Sequence, residues 1–181
     1  MTEAAAHPPV RSRSIIAGIV ATLVALCAVI PYALVALGLR FVMARVFFLS
    51  GQTKIEGPRI PINLNLRGFD ELSIVLPTEI KPSTFQLFET DYASLPIPPT
   101  VAAYLFTYAE FVLPVCLILG FATRFAALGL LVMTVLMQIY VLPGMWWAAH
   151  VYWVSILMVL LSVGPGAISI DAGIRWLYER E

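Results

Sequence analysis

The chain predicts an all-α integral membrane protein: a four-transmembrane-helix bundle with a small extracytoplasmic segment between the first and second spans. Three observations carry that prediction. Hydrophobic residues make up 60% of the 181 positions and charged residues 12%, a composition too apolar for an ordinary soluble domain. The apolar residues fall into four long runs, and the run Val101 to Gly120 rises about 30 Å as a helix, enough to cross a bilayer core. Lys plus Arg equals Asp plus Glu at 11 each, so no basic excess points to nucleic acid.

The elements follow in order. Residues 1–14 are polar and are expected to form a disordered cytoplasmic tail, because Arg11 and Arg13 precede the first apolar run. From Ile15 to about Ser50 the chain is apolar except for Arg40 and Arg45. As one helix this is longer than a bilayer core, so the reading is one long helix kinked at Pro31, with two antiparallel spans as the alternative. Residues 52–100 form the large polar insert. Its alternating stretches 62–66 and 72–76 predict a β-hairpin. Residues 83–92 predict a short amphipathic helix whose Phe85, Leu87 and Phe88 dip toward lipid. Further spans are expected at 101–122, 125–142 and 147–164, with Met145-Trp146-Trp147 as an aromatic belt. The membrane domain then runs over 15–171. Residues 172–181 complete a short interfacial helix that starts near Ile170 with Asp171 as its N-cap.

Chemistry-bearing residues are few. Cys27 and Cys116 lie in apolar runs and form no CxxC pair, so no dithiol or zinc signature is present. Glu110 is a carboxylate near the middle of a span, a costly position that needs a partner or a water-filled cavity. Pro114, four residues on, removes the helical donor to the Glu110 carbonyl. On the first span, Arg40, Gly51 and Lys54 fall on one helical face, and Arg45 points elsewhere. Depths counted from presumed outer helix ends bring Arg40, Tyr104, Glu110, Gln138 and His150 into the outer half of the bundle. The expectation is a polar cavity there, with Arg40 pairing Glu110; a purely structural salt bridge is the competing reading. At the inner end, Arg124 is expected to pair with Asp171 and tie the last loop to the second span.

Several stretches resemble the DoxX family of small four-helix bacterial membrane proteins: LRFVMARVFFLSGQTKI, YASLPIPPTVAAYLFTYAEFVLPVCLILGFATR and GPGAISID, which together reach from Leu39 to Asp171. The resemblance implies a bacterial inner (cytoplasmic) membrane location, both termini cytoplasmic, and a link to redox or stress physiology. Some relatives form the membrane subunit of a thiosulfate:quinone oxidoreductase. The candidates carried over by resemblance are Arg40, Gly51, Lys54, Glu110, Arg124 and Asp171.

Two functions compete. One is a quinone-linked oxidoreductase subunit, in which Glu110, Arg40 and His150 are the catalytic candidates. Arg40, Tyr104, Gln138 and His150 would then offer hydrogen bonds to a quinone. With no dithiol and no haem ligand pair, electrons would have to pass through a bound cofactor or a second subunit of a redox complex. The other is a non-enzymatic module: a small-solute or proton-coupled transporter, or a docking platform. The lipid bilayer is the expected partner in both, and a homo-oligomer is compatible with either. No metal site is expected.

Overall fold

The computed structural model describes residues 15–62 and 72–180. The chain divides into two compact units, residues 1–32 and 33–181.

In the first unit, α1 (Ile15–Cys27) is a 13-residue apolar helix none of whose residues is buried. At ~1.5 Å per residue it is about 20 Å long, short of a bilayer core. The helix gives way to turn bonds, Val29 N–H to Leu26 C=O and Ile30 N–H to Cys27 C=O at 3.3 Å each. The single kinked helix expected over 15–50 is therefore two helices. Pro31 has no N–H to continue the ladder and disfavours helical backbone at Ile30, so the chain breaks rather than bends. The expected tail over 1–14 lies outside the described residues.

The second unit starts on α2 (Tyr32–Lys54). It continues with β1 (Ile55–Glu56), β2 (Arg59–Ile62), β3 (Leu72–Val75), β4 (Glu79–Ile80), α3 (Pro82–Glu89), α4 (Pro99–Leu119), α5 (Thr123–Leu136), α6 (Val151–Ser162) and α7 (Ile170–Tyr178). Between α5 and α6 lie two π-helical stretches, Met137–Val141 and Trp146–His150, on either side of a 3₁₀ turn at Pro143–Met145. Four stretches are long and apolar enough to cross a membrane: Tyr32–Lys54, Pro99–Leu119, Thr123–Val141 and Pro143–Ser162. The all-α membrane fold expected from the sequence is thus present.

Small residues set the helix spacing. Ala36, Ala44, Ala102, Ala103 and Ala127 are fully buried, which lets backbones approach where lipid supplies no hydrophobic drive. Larger side chains fill the rest of the core, among them Met43, Phe106, Leu130 and Leu157. The two ends of this unit differ. At the insert end, β1 pairs antiparallel with β4, and β2 with β3, placing Ile60 opposite Ile74. The expected hairpin exists, pairing Arg59–Ile62 with Leu72–Val75, and the rest of its expected first stretch, 63–66, lies outside the described residues along with 67–71. The expectation that Phe85, Leu87 and Phe88 of α3 dip toward lipid fails at Phe88. Phe88 is fully buried against Tyr92 and Phe106, and Phe85 packs on Tyr104, because α4 offers α3 an aromatic surface to cover.

At the opposite, turn end, α4 closes on Gly120 with φ 69°, a left-handed backbone that favours glycine. Gly120 N–H reaches Leu117 C=O at 3.2 Å and Phe121 N–H reaches Cys116 C=O at 2.9 Å, the paired bonds of a Schellman stop.

Candidate functional site: a buried ion pair beside a cavity

Lys54 is the last residue of α2, and the insert fixes it there. Helix ends leave carbonyls without partners, and here the insert supplies donors. Lys54 C=O accepts from Lys81 N–H and from the Thr84 hydroxyl at 3.0 Å each, and Thr53 C=O accepts from Lys81 Nζ at 2.8 Å. With its backbone held, the Lys54 side chain turns into the bundle. Its Nζ donates to Glu110 Oε2, forming the one ion pair among the described residues, and also to Ser50 Oγ at 3.2 Å. Both charged side chains are about 8% exposed, so water contributes little to their solvation. A buried carboxylate without a cation at this point would be strongly destabilising.

Gly51 explains how α2 comes so near to Glu110. A Cβ at Gly51 would lie 3.1 Å from the Glu110 carbonyl oxygen and 3.2 Å from its Cβ, tighter than backbone can readily yield. The carbonyl that Pro114 deprives of its donor is therefore the atom against which the small residue packs.

The pair borders a cavity of about 190 Å³ whose wall includes Ser50, Tyr92, Met133, His150 and Trp153. Two π-helical stretches bring its other polar partners together. Gln138 donates through Nε2 to Pro143 C=O at 2.7 Å, which leaves Oε1 facing His150 Nδ1 at 2.6 Å. That assignment makes Nδ1 the donor of a neutral His150 and leaves Nε2 as a lone-pair site. The ring packs against Trp153, centroids 5.1 Å apart, and Trp153 packs edge-on against Phe47. Tyr92 enters from the loop after α3. Burial first, then Glu110 and Asp91, push its phenol above the ordinary range, so it serves as a neutral donor.

The DoxX family model matches residues 35–143, more than half of the chain. The chain belongs to the DoxX family. The matched DoxX region holds Lys54, Gly51, Glu110 and Gln138, and ends before His150 and Asp171. No curated protein and no solved structure matches the chain.

Within this DoxX bundle some expected site residues meet and others do not. Glu110, Gln138 and His150 come to the one site. Arg40 does not pair with Glu110. It is fully buried toward the turn end, where Nη2 donates to Ile168 C=O, and a Cβ at Gly120 would collide with its Nη1. The expectation assumed that α2 and α4 end at one level. In fact Gly51 lies beside Glu110, eleven residues into α4, so Lys54 stands where Arg40 was placed. Tyr104 is also excluded: it is half exposed, stacks on Tyr108 and packs against Phe85.

At the turn end Arg124 and Asp171 form no ion pair among the described residues. Asp171 instead accepts from Ala122 N–H at 2.8 Å and Thr123 N–H at 2.9 Å, because the first turn of α5 presents unpaired amides. Arg124 donates to Ser162 C=O at 3.3 Å. The N-cap of α7 is Ser169, whose hydroxyl accepts from Ala172 N–H at 3.1 Å, rather than Asp171.

Sequence reasoning missed Lys54 as the partner of Glu110, and missed Ser50 and Tyr92. A signal for Lys54 was present, since it shares a helical face with Arg40 and Gly51. Tyr92 carried none, because its position depends on how the insert folds.

Proposed function

We propose that this DoxX protein is a redox-linked membrane subunit that binds the ring of a quinone, or of a similar small oxidisable molecule, in the cavity beside Lys54 and Glu110. One observation carries the reading: the cavity sets hydrogen-bond donors beside an apolar groove, with Met133 between the two. Lys54 and Tyr92 stand on its wall as donors and His150 as an acceptor, and Met133 lies both on that wall and on an apolar groove of about 970 Å³ between α4 and α5. Carbonyl oxygens need a few donors in an otherwise apolar slot, and a lipophilic tail needs lipid-facing surface. The cavity is smaller than the ~300 Å³ at which sites for drug-sized ligands begin, so it suits one ring with its tail outside. Reduction of such a ring takes two electrons and two protons. Tyr92 would supply a proton and Lys54 a hydrogen bond to a carbonyl oxygen, with Glu110 as the counter-charge of Lys54, while the His150 Nε2 lone pair would accept a proton when the ring is oxidised. The electrons come from a partner subunit or a second bound cofactor.

The arginines of the turn end, Arg124, Arg175 and Arg180, favour the cytoplasmic side of a bacterial inner membrane for that end. The C-terminus, and the N-terminal tail with Arg11 and Arg13, would then be cytoplasmic.

Titration of the purified protein with a short-tailed quinone tests the reading, because Trp153 sits on the cavity wall. Saturable quenching of tryptophan fluorescence, lost in Glu110→Gln, is the expected result. Unsaturable quenching identical in both proteins would sink it. The buried lysine–carboxylate pair also suits a proton-coupled transporter. Solute-driven pH changes in proteoliposomes, without quinone binding, would favour that second reading.

A further inference from the structure

We propose that the turn end of the bundle carries a binding site for the phosphate of an anionic phospholipid, with Arg124 and Arg175 as its cationic ligands. A cavity of about 410 Å³ opens there between the start of α5, the turn after α6 and the first turns of α7. It lies at the far end of the bundle from the Lys54–Glu110 pair and does not depend on the quinone reading.

The charge balance of this cavity favours an anion. Asp171 and Arg175 are four residues apart on α7, a spacing at which an aspartate and an arginine ordinarily pair. Here both carboxylate oxygens of Asp171 accept from the Ala122 and Thr123 amides instead, and no Asp171–Arg175 ion pair forms. The carboxylate is committed to the N-terminus of α5, and the Arg175 guanidinium is left on the cavity wall. Arg124 uses one donor on the Ser162 carbonyl at 3.3 Å and has further N–H groups to offer. Glu179 lies on an adjoining hollow that shares Arg175, and is the other nearby acid. Two guanidinium groups against the one carboxylate of Asp171, which is turned to the α5 amides, leave the cavity wall with a net positive charge that matches a phosphate monoanion.

The rim identifies a lipid as the source of that phosphate. Phe125 and Val163 line the cavity and are 79% and 58% exposed, which offers apolar surface to an acyl chain beside the head group. Ile170, Ile174 and Leu177 form an exposed apolar stripe along α7, as on a helix lying in the membrane interface. The Arg180 guanidinium stacks 3.5 Å over the Trp176 ring, a pairing suited to the head-group layer. Basic pockets between membrane helices hold acidic head groups by this chemistry.

Thermal unfolding in a neutral detergent tests the site, using added phosphatidylglycerol, phosphatidylcholine or inorganic phosphate. Phosphatidylglycerol should raise the midpoint by about 5–10 °C at saturation, while the other two change it little. The variant R124Q/R175Q should lose that response. Arg175→Gln alone alters an exposed side chain, keeps the fold, and should reduce the response. Equal stabilisation by phosphatidylcholine would overturn the proposal. So would an equal effect of inorganic phosphate, which would make the occupant a free anion, or a full response in R175Q.

Discussion

At the scale of single residues, Lys54 and Glu110 dominate because each is buried and each makes the other tolerable. Taking two charges out of water is costly, and their mutual attraction offsets that only when both are present. Glu110→Gln leaves the Lys54 ammonium without its counter-charge, and Lys54→Gln leaves the carboxylate bare. Each single change should destabilise the protein by about 3–5 kcal/mol. The double change removes both charges and should recover part of the loss, which thermal midpoints in detergent would show. Additive losses would mean that the two side chains do not depend on each other. Arg40 is a different case. Its guanidinium is held among backbone groups at the turn end, so Arg40→Gln should not be rescued by changing Glu110.

At the scale of elements, helix ends bring the partners to Glu110, which itself sits mid-helix on α4. The C-terminus of α2 is closed by Lys81 and Thr84, and this fixes the direction from which Lys54 enters. The start of α5 is closed by Asp171, which reaches across from α7 to two amides. Replacing Asp171 by Ala removes that cap and should cost about 0.5–2 kcal/mol, since the amides of a first helical turn then lack an acceptor. Asp171→Asn keeps one acceptor oxygen and should retain part of the stability; equal losses in the two variants would mean that the carboxylate does not cap α5. The π-helical stretches act in the same local way. They carry Gln138 and His150 on the two sides of one turn, where a widened helix can re-aim a side chain, as π-bulges do at functional sites.

At the scale of the whole molecule, four consecutive spans put the start of α2 and the C-terminal helix α7 at one end of the second unit and the insert at the other. Reporter fusions at Lys81 and at the C-terminus should therefore report opposite sides of the membrane, with the C-terminal fusion cytoplasmic. Fusions that report the same side would contradict the four-span arrangement. The apolar runs made those spans legible, because a bilayer selects helices by length and hydropathy, which are properties of the chain itself. The burial of Glu110, the shared face of Arg40, Gly51 and Lys54, and the different face of Arg45 were legible for a similar reason, since helical periodicity fixes faces. Which cation meets Glu110 was not legible. Periodicity fixes the face of a residue but not the axial offset between two helices. That offset is set by where Gly51 docks on α4 and by how the insert closes the end of α2. The placement of Tyr92 beside the ion pair, the commitment of Asp171 to α5, and the retreat of Arg40 to the turn end all follow from contacts between segments far apart in sequence, and only the tertiary structure decided them.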